Sequence, residues 1–296
     1  MAFVLLSLER ISKRKKWLIL LAISIVLIIW TAWENTALGL STYTIESEKI
    51  PESFSGFRIA QVSDLHNAEM GEENKKLLEM LKKAEPDIIV MTGDLIDSRR
   101  TDIEVALQFA AQAVEIAPCY YVTGNHESRL TKQAYQEFET AIYESGVHVL
   151  HNEEVVVERE GHSISIVGVD DISFAQRYGR TGCVGESNKL RELFSDTEYK
   201  ILLSHRPELF PIYADANIDL VFTGHAHGGQ FRFPFIGGIF APNQGFFPEY
   251  DAGVFIKDGT NMVVSRGIGN SIFPLRFNNR PELIVVELSK ITNITR

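Results

Sequence analysis

Thiols are nearly absent from this sequence, which has 2 cysteines among 296 residues. Cys119 falls in an apolar run typical of a strand, and Cys183 falls in a glycine-containing turn. A structural zinc site of the thiolate kind needs several such residues at short spacing. The sequence therefore argues against that kind of site, and it leaves the redox state of the two thiols open.

A concentration of basic residues is also missing after the first 16 residues. The chain has a formal net charge of −10, and residues 1–16 carry +4. Residues 17–33 are uncharged, so the remainder from residue 34 onward carries −14. Because proteins that bind nucleic acids usually present a basic groove to the phosphates, we expect no nucleic-acid partner.

No proline-, glycine- or serine-rich linker and no repeat divides the sequence after residue 56. We therefore expect one domain over residues 57–290, preceded by a linker or lead-in over 34–56. Apolar, β-branched runs first alternate with helical stretches near 73–84, 102–113 and 132–144, and closely spaced strands follow after Gly146. This order predicts an α/β fold with a second sheet in its later part.

The chain has one long apolar run, Trp17 to Trp33, which follows the basic residues of segment 1–16. As a helix it reaches about 26 Å, at the short end of what crosses a roughly 30 Å hydrocarbon core. We predict a single-pass transmembrane signal-anchor at 17–33, with residues 1–16 in the cytoplasm and the domain on the extracytoplasmic side of the cell membrane. A cleaved signal peptide is the alternative. A surface or buried helix is less favoured because the run has no polar face.

Five short polar motifs each follow an apolar run that is typical of a buried strand. They are Asp64-Leu65-His66, Gly93-Asp94, Gly124-Asn125-His126-Glu127, Ser204-His205 and Gly224-His225-Ala226-His227. Any one of them alone would be an ordinary turn or a hydrogen-bonded histidine. Open α/β sheets bind ligands at the carboxyl ends of their strands, so all five in order predict one site.

The side chains of these motifs are a mixture of carboxylate, imidazole and amide donors, which suits a pair of divalent cations with open coordination positions. The candidate metal ligands are Asp64, His66, Asp94, Asn125, His205, His225 and His227. Manganese, iron, zinc, cobalt and nickel all accept such a set. Two metals about 3.5 to 4 Å apart acidify a shared water, so Ser204 is not expected to be a nucleophile. The remaining histidines (His148, His151 and His162) are expected to have ordinary roles.

The order of the motifs resembles that of the calcineurin-like metallophosphoesterase superfamily. The segments from Gly224 to Gln230 and from Ser204 to Glu208, together with the membrane segment, resemble its YkuE/YaeI-like membrane-associated branch. The resemblance extends from Phe57 to Glu287. It implies a four-layer αββα sandwich with two mostly mixed β-sheets and with the metals at one rim of both sheets.

The resemblance also implies a role for each site residue. Asp64, His66 and His227 would hold one metal, and Asn125, His205 and His225 the other. Asp94 would bridge the two metals. His126 would stay off the metals, where it can donate a proton to the leaving oxygen or stabilise phosphoryl charge, so His126 and Asp94 are the expected catalytic residues.

The sequence therefore predicts a metal-dependent phosphoric ester hydrolase, a phosphodiesterase or pyrophosphatase, in which a metal-bridging hydroxide attacks a lipid-linked or small envelope substrate. We expect a monomer whose partners are the membrane and its phosphoester substrate. The alternatives are a phosphoprotein phosphatase and a non-catalytic surface protein that binds metal or a phosphorylated ligand. The off-metal imidazole of His126 argues against a binding-only role.

Aromatic residues crowd the segment that follows the last motif. Six phenylalanines, two isoleucines and two prolines fall in the segment from Phe231 to Phe247. This segment is either a hairpin packed on the core or an apolar lip for acyl chains.

Overall fold

The structure is a computed structural model that describes residues 12–180, 182–183, 185–270 and 273–292. Most of the basic segment predicted at 1–16 lies outside the described residues. The helices are α1 (Lys13–Thr36), α2 (Lys75–Ala84), α3 (Ile103–Ala113), α4 (Lys132–Glu144), α5 (Ile172–Tyr178), α6 (Ser187–Glu192) and α7 (Phe210–Asp215).

Twelve of the strands form two six-stranded mixed sheets. The first sheet has the order β1 (Gly39–Ser47), β16 (Glu282–Lys290), β2 (Arg58–Val62), β3 (Ile88–Thr92), β4 (Cys119–Val122) and β5 (His148–Val149). The second has the order β14 (Gly253–Lys257), β15 (Thr260–Val264), β9 (Leu220–Thr223), β8 (Tyr199–Leu203), β7 (His162–Gly168) and β6 (Glu153–Arg159). β2 to β5 are parallel to one another, as are β7, β8, β9 and β15.

Alternation along the strands divides the core into layers. In β2, Ile59 points into the apolar layer between the two sheets, whereas Ala60 and Val62 face the helices on the outer side. Phe109 of α3 and Phe138 of α4 pack on that outer face, and burial of each contributes roughly 1.5–3 kcal/mol.

The second sheet is covered in the same way. Leu190 of α6 and Phe210 of α7 pack on its outer face, against Leu202 and Val221 of β8 and β9. The layers are therefore helix, sheet, sheet and helix, which confirms the predicted αββα sandwich.

Helix α1 projects from this sandwich with most of its side chains exposed. Its 24 residues span about 36 Å, and among the described residues it is the one helix long and apolar enough to cross a membrane. The helix is longer than the predicted segment 17–33 because it begins at Lys13 and continues through Glu34 and Asn35 to Thr36.

Two segments differ from what the sequence led us to expect. Residues 34–56, expected as a linker or lead-in, contain β1, which pairs with β16 along its whole length at the sheet edge. The aromatic segment from Phe231 to Phe247, expected as one hairpin on the core or as an apolar lip, instead forms two short hairpins, β10 (Arg232–Phe233) with β11 (Gly237–Gly238) and β12 (Phe240–Ala241) with β13 (Gly245–Phe246). Glycines with positive φ at positions 237 and 245 turn the chain there.

Candidate metal centre

The five motifs meet at one edge of the sandwich, where β2, β3, β4, β8 and β9 end. The structure brings together all seven predicted metal ligands, and none of these residues is more than 8% exposed. They are Asp64 and His66 after β2, Asp94 after β3, Asn125 after β4, His205 after β8, and His225 and His227 after β9. The carboxyl ends of the strands thus supply every one of them.

Three ligands form one half of the centre. The Nε2 atoms of His66 and His227 are 3.2 Å apart. The Oδ1 atom of Asp64 lies 3.3 Å from Nε2 of His227 and 3.8 Å from Nε2 of His66. Donor atoms that each lie about 2.0–2.2 Å from one cation stand at such separations from one another. This half has the spacing of a single metal site.

The other half is built from an amide and two imidazoles. Nε2 of His205 is 3.3 Å from Oδ1 of Asn125 and 3.2 Å from Nδ1 of His225. Asp94 lies between the halves, with its Oδ2 atom 3.5 Å from Nε2 of His66 and 3.3 Å from Nε2 of His205. One carboxylate oxygen therefore faces both groups of donors.

The protein's own hydrogen bonds do not compensate the burial of these rings. The Nδ1 atoms of His66 and His227 are buried without a hydrogen-bond partner, while their Nε2 atoms face each other. Buried polar atoms in folded proteins are normally paired. A divalent cation between the facing Nε2 atoms would bind both of their lone pairs and so offset the burial of the rings, and a set of nitrogen and oxygen donors suits Mn, Fe, Zn, Co or Ni.

Hydrogen bonds behind the ligands fix their orientation. Nδ1 of His205 lies 2.8 Å from the carbonyl oxygen of Thr92, so an Nδ1–H donating there turns the lone pair of Nε2 toward the centre. The hydroxyl of Ser63 donates to Oδ2 of Asp64 at 2.6 Å. The backbone N–H of His126 donates to Oδ1 of Asp94 at 2.7 Å, which leaves Oδ2 facing the histidines.

The backbone at the ligands is strained. Five of the seven ligands have a positive φ: Asp64 (51°), His66 (46°), Asp94 (53°), His225 (65°) and His227 (48°). Left-handed conformations at residues other than glycine cost about 1–3 kcal/mol each and persist where the surrounding structure imposes them. The sharp turns bring the side chains of neighbouring residues to one point, so the conformational strain is concentrated at the candidate metal centre.

Two motif glycines make room for the ligands. A Cβ atom on Gly224 would stand 2.0 Å from Oγ of Ser63 and 2.3 Å from Oδ2 of Asp64. A Cβ atom on Gly124 would stand 2.3 Å from Oδ1 of Asp94. Real side-chain contacts are never this short, so any larger residue would displace a ligand.

Glu127 connects two of the ligand-bearing loops. Its buried carboxylate accepts hydrogen bonds from the backbone N–H groups of Asp94 (3.1 Å), Leu95 (2.9 Å) and Gly124 (2.8 Å). The loops after β3 and β4 are thereby held against each other. The sequence predicts no role for Glu127, which is the last residue of its motif. Its contacts show that it positions the loops that carry Asp94 and Asn125.

Burial keeps most of the imidazoles neutral. It lowers the pKa of His66 to about 3 and lowers the pKa of His225 and His227 well below the usual value. Burial would also lower the pKa of His205, but the Asp94 carboxylate raises it to about 10. Because a metal binds the neutral form of histidine, three of the four imidazoles are ready to act as ligands without losing a proton.

His126 lies beside the ligands, with a hydrogen-bond donor at each ring nitrogen. The backbone N–H of Ser98 donates to its Nδ1 atom at 3.1 Å, and Nη1 of Arg129, which can only donate, lies 3.3 Å from its Nε2 atom. Burial lowers the pKa of this imidazole. His126 packs edge-on against His66 with 4.5 Å between ring centroids, and it faces the cavity above the centre.

A cavity of about 220 Å³ opens above the ligands. Besides ligands and His126, it is lined by Ser128, Arg129, Ser173, Arg206, Pro242 and Asn243. Arg129 and Asn243 were not singled out by the sequence analysis. Asn243 Oδ1 lies 3.3 Å from Nε2 of His225, yet its only sequence signal is a place within the aromatic segment. Arg129, two residues after the third motif, could have been found from its proximity to that motif.

The remaining histidines lie elsewhere. His162 pairs with Glu198 at 2.8 Å, and His148 stacks on Tyr120 with 5.2 Å between ring centroids. His151 lies between the carboxylates of Asp170 and Glu139. Among the described residues, none of these three rings belongs to a group with metal-ligand spacing.

Sequence comparison with known proteins indicates the same class of site. The family model for calcineurin-like phosphoesterases matches residues 57–229. The chain is 33% identical over 263 residues to the metallophosphoesterase YkuE of Bacillus subtilis (strain 168), with 85% of each chain covered. It is 28% identical to phosphodiesterase YaeI of Escherichia coli (strain K12), covering 69% of this chain and 70% of YaeI. A Danio rerio transmembrane protein with metallophosphoesterase domain is 29% identical, covering 83% of this chain and 56% of that protein.

These matches confirm the superfamily and the branch that the motifs predicted. They also agree with the donor clusters, because a metal-dependent hydrolase needs buried histidine and aspartate groups of this spacing. The chain belongs to the calcineurin-like phosphoesterase family, whose members are phosphoric ester hydrolases that use two divalent metal ions.

Proposed function

We propose that this protein is a membrane-anchored phosphodiesterase or pyrophosphatase that hydrolyses a lipid-linked or small envelope phosphoester. Family membership gives the reaction class. The observation that carries the proposal is the convergence of seven buried candidate donors beneath a cavity that is also lined by a further imidazole, that of His126, and by two guanidinium groups.

Each side chain has an assigned role in this proposal. Asp64, His66 and His227 would hold one cation, Asn125, His205 and His225 would hold the other, and Asp94 would contribute to both. Two bound divalent cations supply the Lewis acidity that makes water nucleophilic near neutral pH and that polarises phosphoryl oxygens. The strained, cross-braced backbone holds the donors in place before any cation arrives.

His126 acts on the leaving oxygen. Its Nδ1 atom accepts a hydrogen bond from the backbone of Ser98, and once the exposed Arg129 moves from Nε2 to the substrate, Nε2 carries the ring proton of the neutral form toward the cavity. This N–H donates to the phosphoryl or leaving oxygen, and transfer of its proton completes departure of the alcohol or phosphate leaving group. Such general acid catalysis typically contributes about 10²–10⁴-fold to the rate.

The two arginines differ in mobility. Nε and Nη2 of Arg206 are both occupied by the Asp171 carboxylate, which leaves Nη1 near Nε2 of His225 and beside the cavity. Arg129 is exposed, and its Nη1 atom lies 3.3 Å from Nε2 of His126. Arg206 thus provides a fixed positive charge for a phosphate, and Arg129 provides one that can follow the substrate.

The substrate class follows from charge and anchoring. From residue 34 onward the chain carries −14, which is unfavourable for a long polyanion. Helix α1 would hold the domain at a bilayer, with the basic residues before it in the cytoplasm and the cavity on the extracytoplasmic side. A phosphoester with a lipid tail, or a small phosphoester of the envelope, is within reach of such an enzyme.

The test uses the full chain in nanodiscs, loaded in turn with manganese, zinc, cobalt, nickel or iron. We expect hydrolysis of bis-p-nitrophenyl phosphate, and a higher kcat/KM for a lipid phosphodiester or pyrophosphate than for its water-soluble analogue. Asp94→Asn is the inactive control, and Asp219→Asn, a buried carboxylate that precedes β9 and pairs with Lys49, is its matched control.

Two results would contradict the proposal in different ways. Stoichiometric metal loading without hydrolysis of any phosphoester would indicate a binding protein. Faster hydrolysis of phosphoproteins than of lipid or small diesters would retain the enzyme class but replace the substrate class.

A further inference from the structure

The membrane helix leaves the domain at the same edge as the metal centre. β1 is parallel to β16, and β16 is antiparallel to β2, so β1 begins where β2 ends. Asp64 follows the end of β2, and α1 ends at Thr36, only three positions before β1 starts at Gly39. The connection between α1 and β1 is therefore too short to let the metal edge move far from a bilayer that α1 crosses.

The end of α1 is bonded to the domain as well. Nδ2 of Asn35 donates to the carbonyl oxygen of Arg276 at 3.0 Å, and the backbone N–H of Arg276 donates back to Oδ1 at 2.9 Å. The guanidinium of Arg280 lies 4.8 Å from the ring of Trp33, and its Nε donates to the carbonyl oxygen of Ala37 at 2.9 Å. The helix is thus fixed in direction relative to the metal edge.

An exposed apolar surface lies beside this attachment. We call Phe233, Phe235, Ile236, Phe246, Phe247 and Phe273 the aromatic rim. Each is at least 44% exposed, and Phe235 is fully exposed at 108%. Most of the strongly exposed large apolar side chains outside α1, within the described part of the chain, lie in or next to this rim.

The aromatic rim is continuous from the helix to the cavity. Nε2 of Gln230 donates to the carbonyl oxygens of Phe273 (2.8 Å) and Leu275 (2.6 Å), next to the Arg276 that holds α1. At its other end the rim flanks Asn243, which lines the cavity above the metal ligands. The apolar surface therefore occupies the space between the membrane helix and the mouth of the candidate site.

Charge separates this surface from the rest of the domain. Residues 233–247 contain no charged side chain, and neither do residues 267–275. The remainder from residue 34 onward carries a net −14, so it would be repelled by anionic lipid head groups. The rim is the part of the metal edge that can approach such a bilayer without this repulsion.

We infer that the aromatic rim inserts into the bilayer that α1 crosses, so that the cavity opens at the lipid surface. This inference rests on the membrane anchoring of the proposed function. The occupant is phospholipid, because the rim is continuous with the helix end and phenylalanine side chains gain by leaving water for the acyl region. A substrate with a lipid tail then reaches the cavity without leaving the membrane.

The experiment measures depth with a fluorescent label in the full chain, reconstituted in nanodiscs. A single cysteine is introduced by Phe235→Cys, and in a second protein by Phe246→Cys, each with Cys183→Ser; Cys119 is buried and stays unlabelled. The matched control is Tyr143→Cys, which is 71% exposed near the end of α4, at the opposite edge of the sheet. Each cysteine carries an environment-sensitive label, and the lipids are brominated in their acyl chains.

We expect the labels at 235 and 246 to shift to shorter emission wavelengths and to lose most of their emission in brominated nanodiscs, while the label at 143 is unchanged. Water-like emission without quenching at both rim positions overturns the inference. A blue-shifted label that bromine does not quench also overturns it, since this would show a protein covering the rim. Quenching without hydrolysis would leave the inference in place and count against the proposed function, so the two can fail separately.

Discussion

Two clusters of histidines and carboxylates lie in this molecule, one buried and one partly buried, and they differ in how their polar atoms are paired. In the metal centre, Nδ1 of His66 and Nδ1 of His227 have no hydrogen-bond partner. In the second cluster, both ring nitrogens of His151 face carboxylates, with Nδ1 at 2.6 Å from Oδ1 of Asp170 and Nε2 against Glu139. A cluster that is complete in itself stabilises the fold, whereas an incomplete one calls for a ligand.

Backbone geometry separates the clusters in the same way. Five metal-centre ligands have left-handed φ values, whereas none of His151, Asp170 and Glu139 does. Strain of about 1–3 kcal/mol per residue is retained where function needs a particular geometry. The comparison therefore assigns chemistry to one cluster and stability to the other, and substitutions in each can test that assignment.

The largest expected effect is that of Asp94→Asn. The substitution keeps the size of the side chain and the Oδ1 acceptor for the backbone N–H of His126. It removes the negative charge that faces both groups of donors. We expect phosphodiesterase activity to fall to background and metal content, measured by mass spectrometry, to fall from two ions per chain. If Asp94→Asn lowered only the unfolding temperature, the metal centre would resemble the His151 cluster and our comparison would be wrong.

His126→Gln should reduce activity without reducing metal content. The amide can still hydrogen-bond to the phosphoryl group but cannot transfer a proton, so kcat should fall by about 10²–10⁴-fold. Turnover and metal content are measured on the same preparation. Loss of an ion would show that His126 is itself a ligand. This outcome is possible because His126 lies within metal-ligand spacing of His66 and Asp94.

Gly224→Ala should weaken metal binding through sterics alone. The added methyl would collide with Ser63 and Asp64, and displacing a ligand's support typically costs about 10–100-fold in metal affinity. Titration with a competing chelator measures this affinity. Gly185→Ala is the control, because a Cβ atom there meets open space at an ordinary φ. Equal affinities for the two variants would show that the packing around Gly224 does not position Asp64.

The sequence predicts that the seven candidate donors meet at one edge, because their residue types and order are specific to this chemistry. It also predicts the strands that precede them, since buried parallel strands are continuous apolar runs. The sequence does not predict β1. This strand lies at a sheet edge and is only half-buried, and Ser41, Thr42 and Thr44 interrupt the apolar pattern by which a strand is recognised. Neither the left-handed turns at Asp64 and His225 nor the arrival of Asn243 at the cavity has a sequence signal, because tertiary packing imposes them.

The smallest expected effect is that of His151→Gln, which tests the other side of the comparison. Glutamine retains hydrogen-bonding capacity between Asp170 and Glu139 but cannot carry a positive charge. We expect unchanged metal content and nearly unchanged kcat, with a lower free energy of unfolding in urea. Tyr143→Phe, which changes an exposed ring near the end of α4, is the control for substitution as such.

The pH dependence of that loss decides whether the charge of His151 is what stabilises. Burial would lower the pKa of His151, but hydrogen bonds to Asp170 and Glu139 raise it to about 9. A group with a raised pKa in the folded state stabilises fully below its unfolded value of about 6.5, and this contribution disappears as pH rises through 9. The difference between wild type and His151→Gln should therefore be on the order of 2 kcal/mol near pH 6 and small near pH 10. A difference that is constant across this range would show that packing of the ring, rather than its charge, holds the second cluster together.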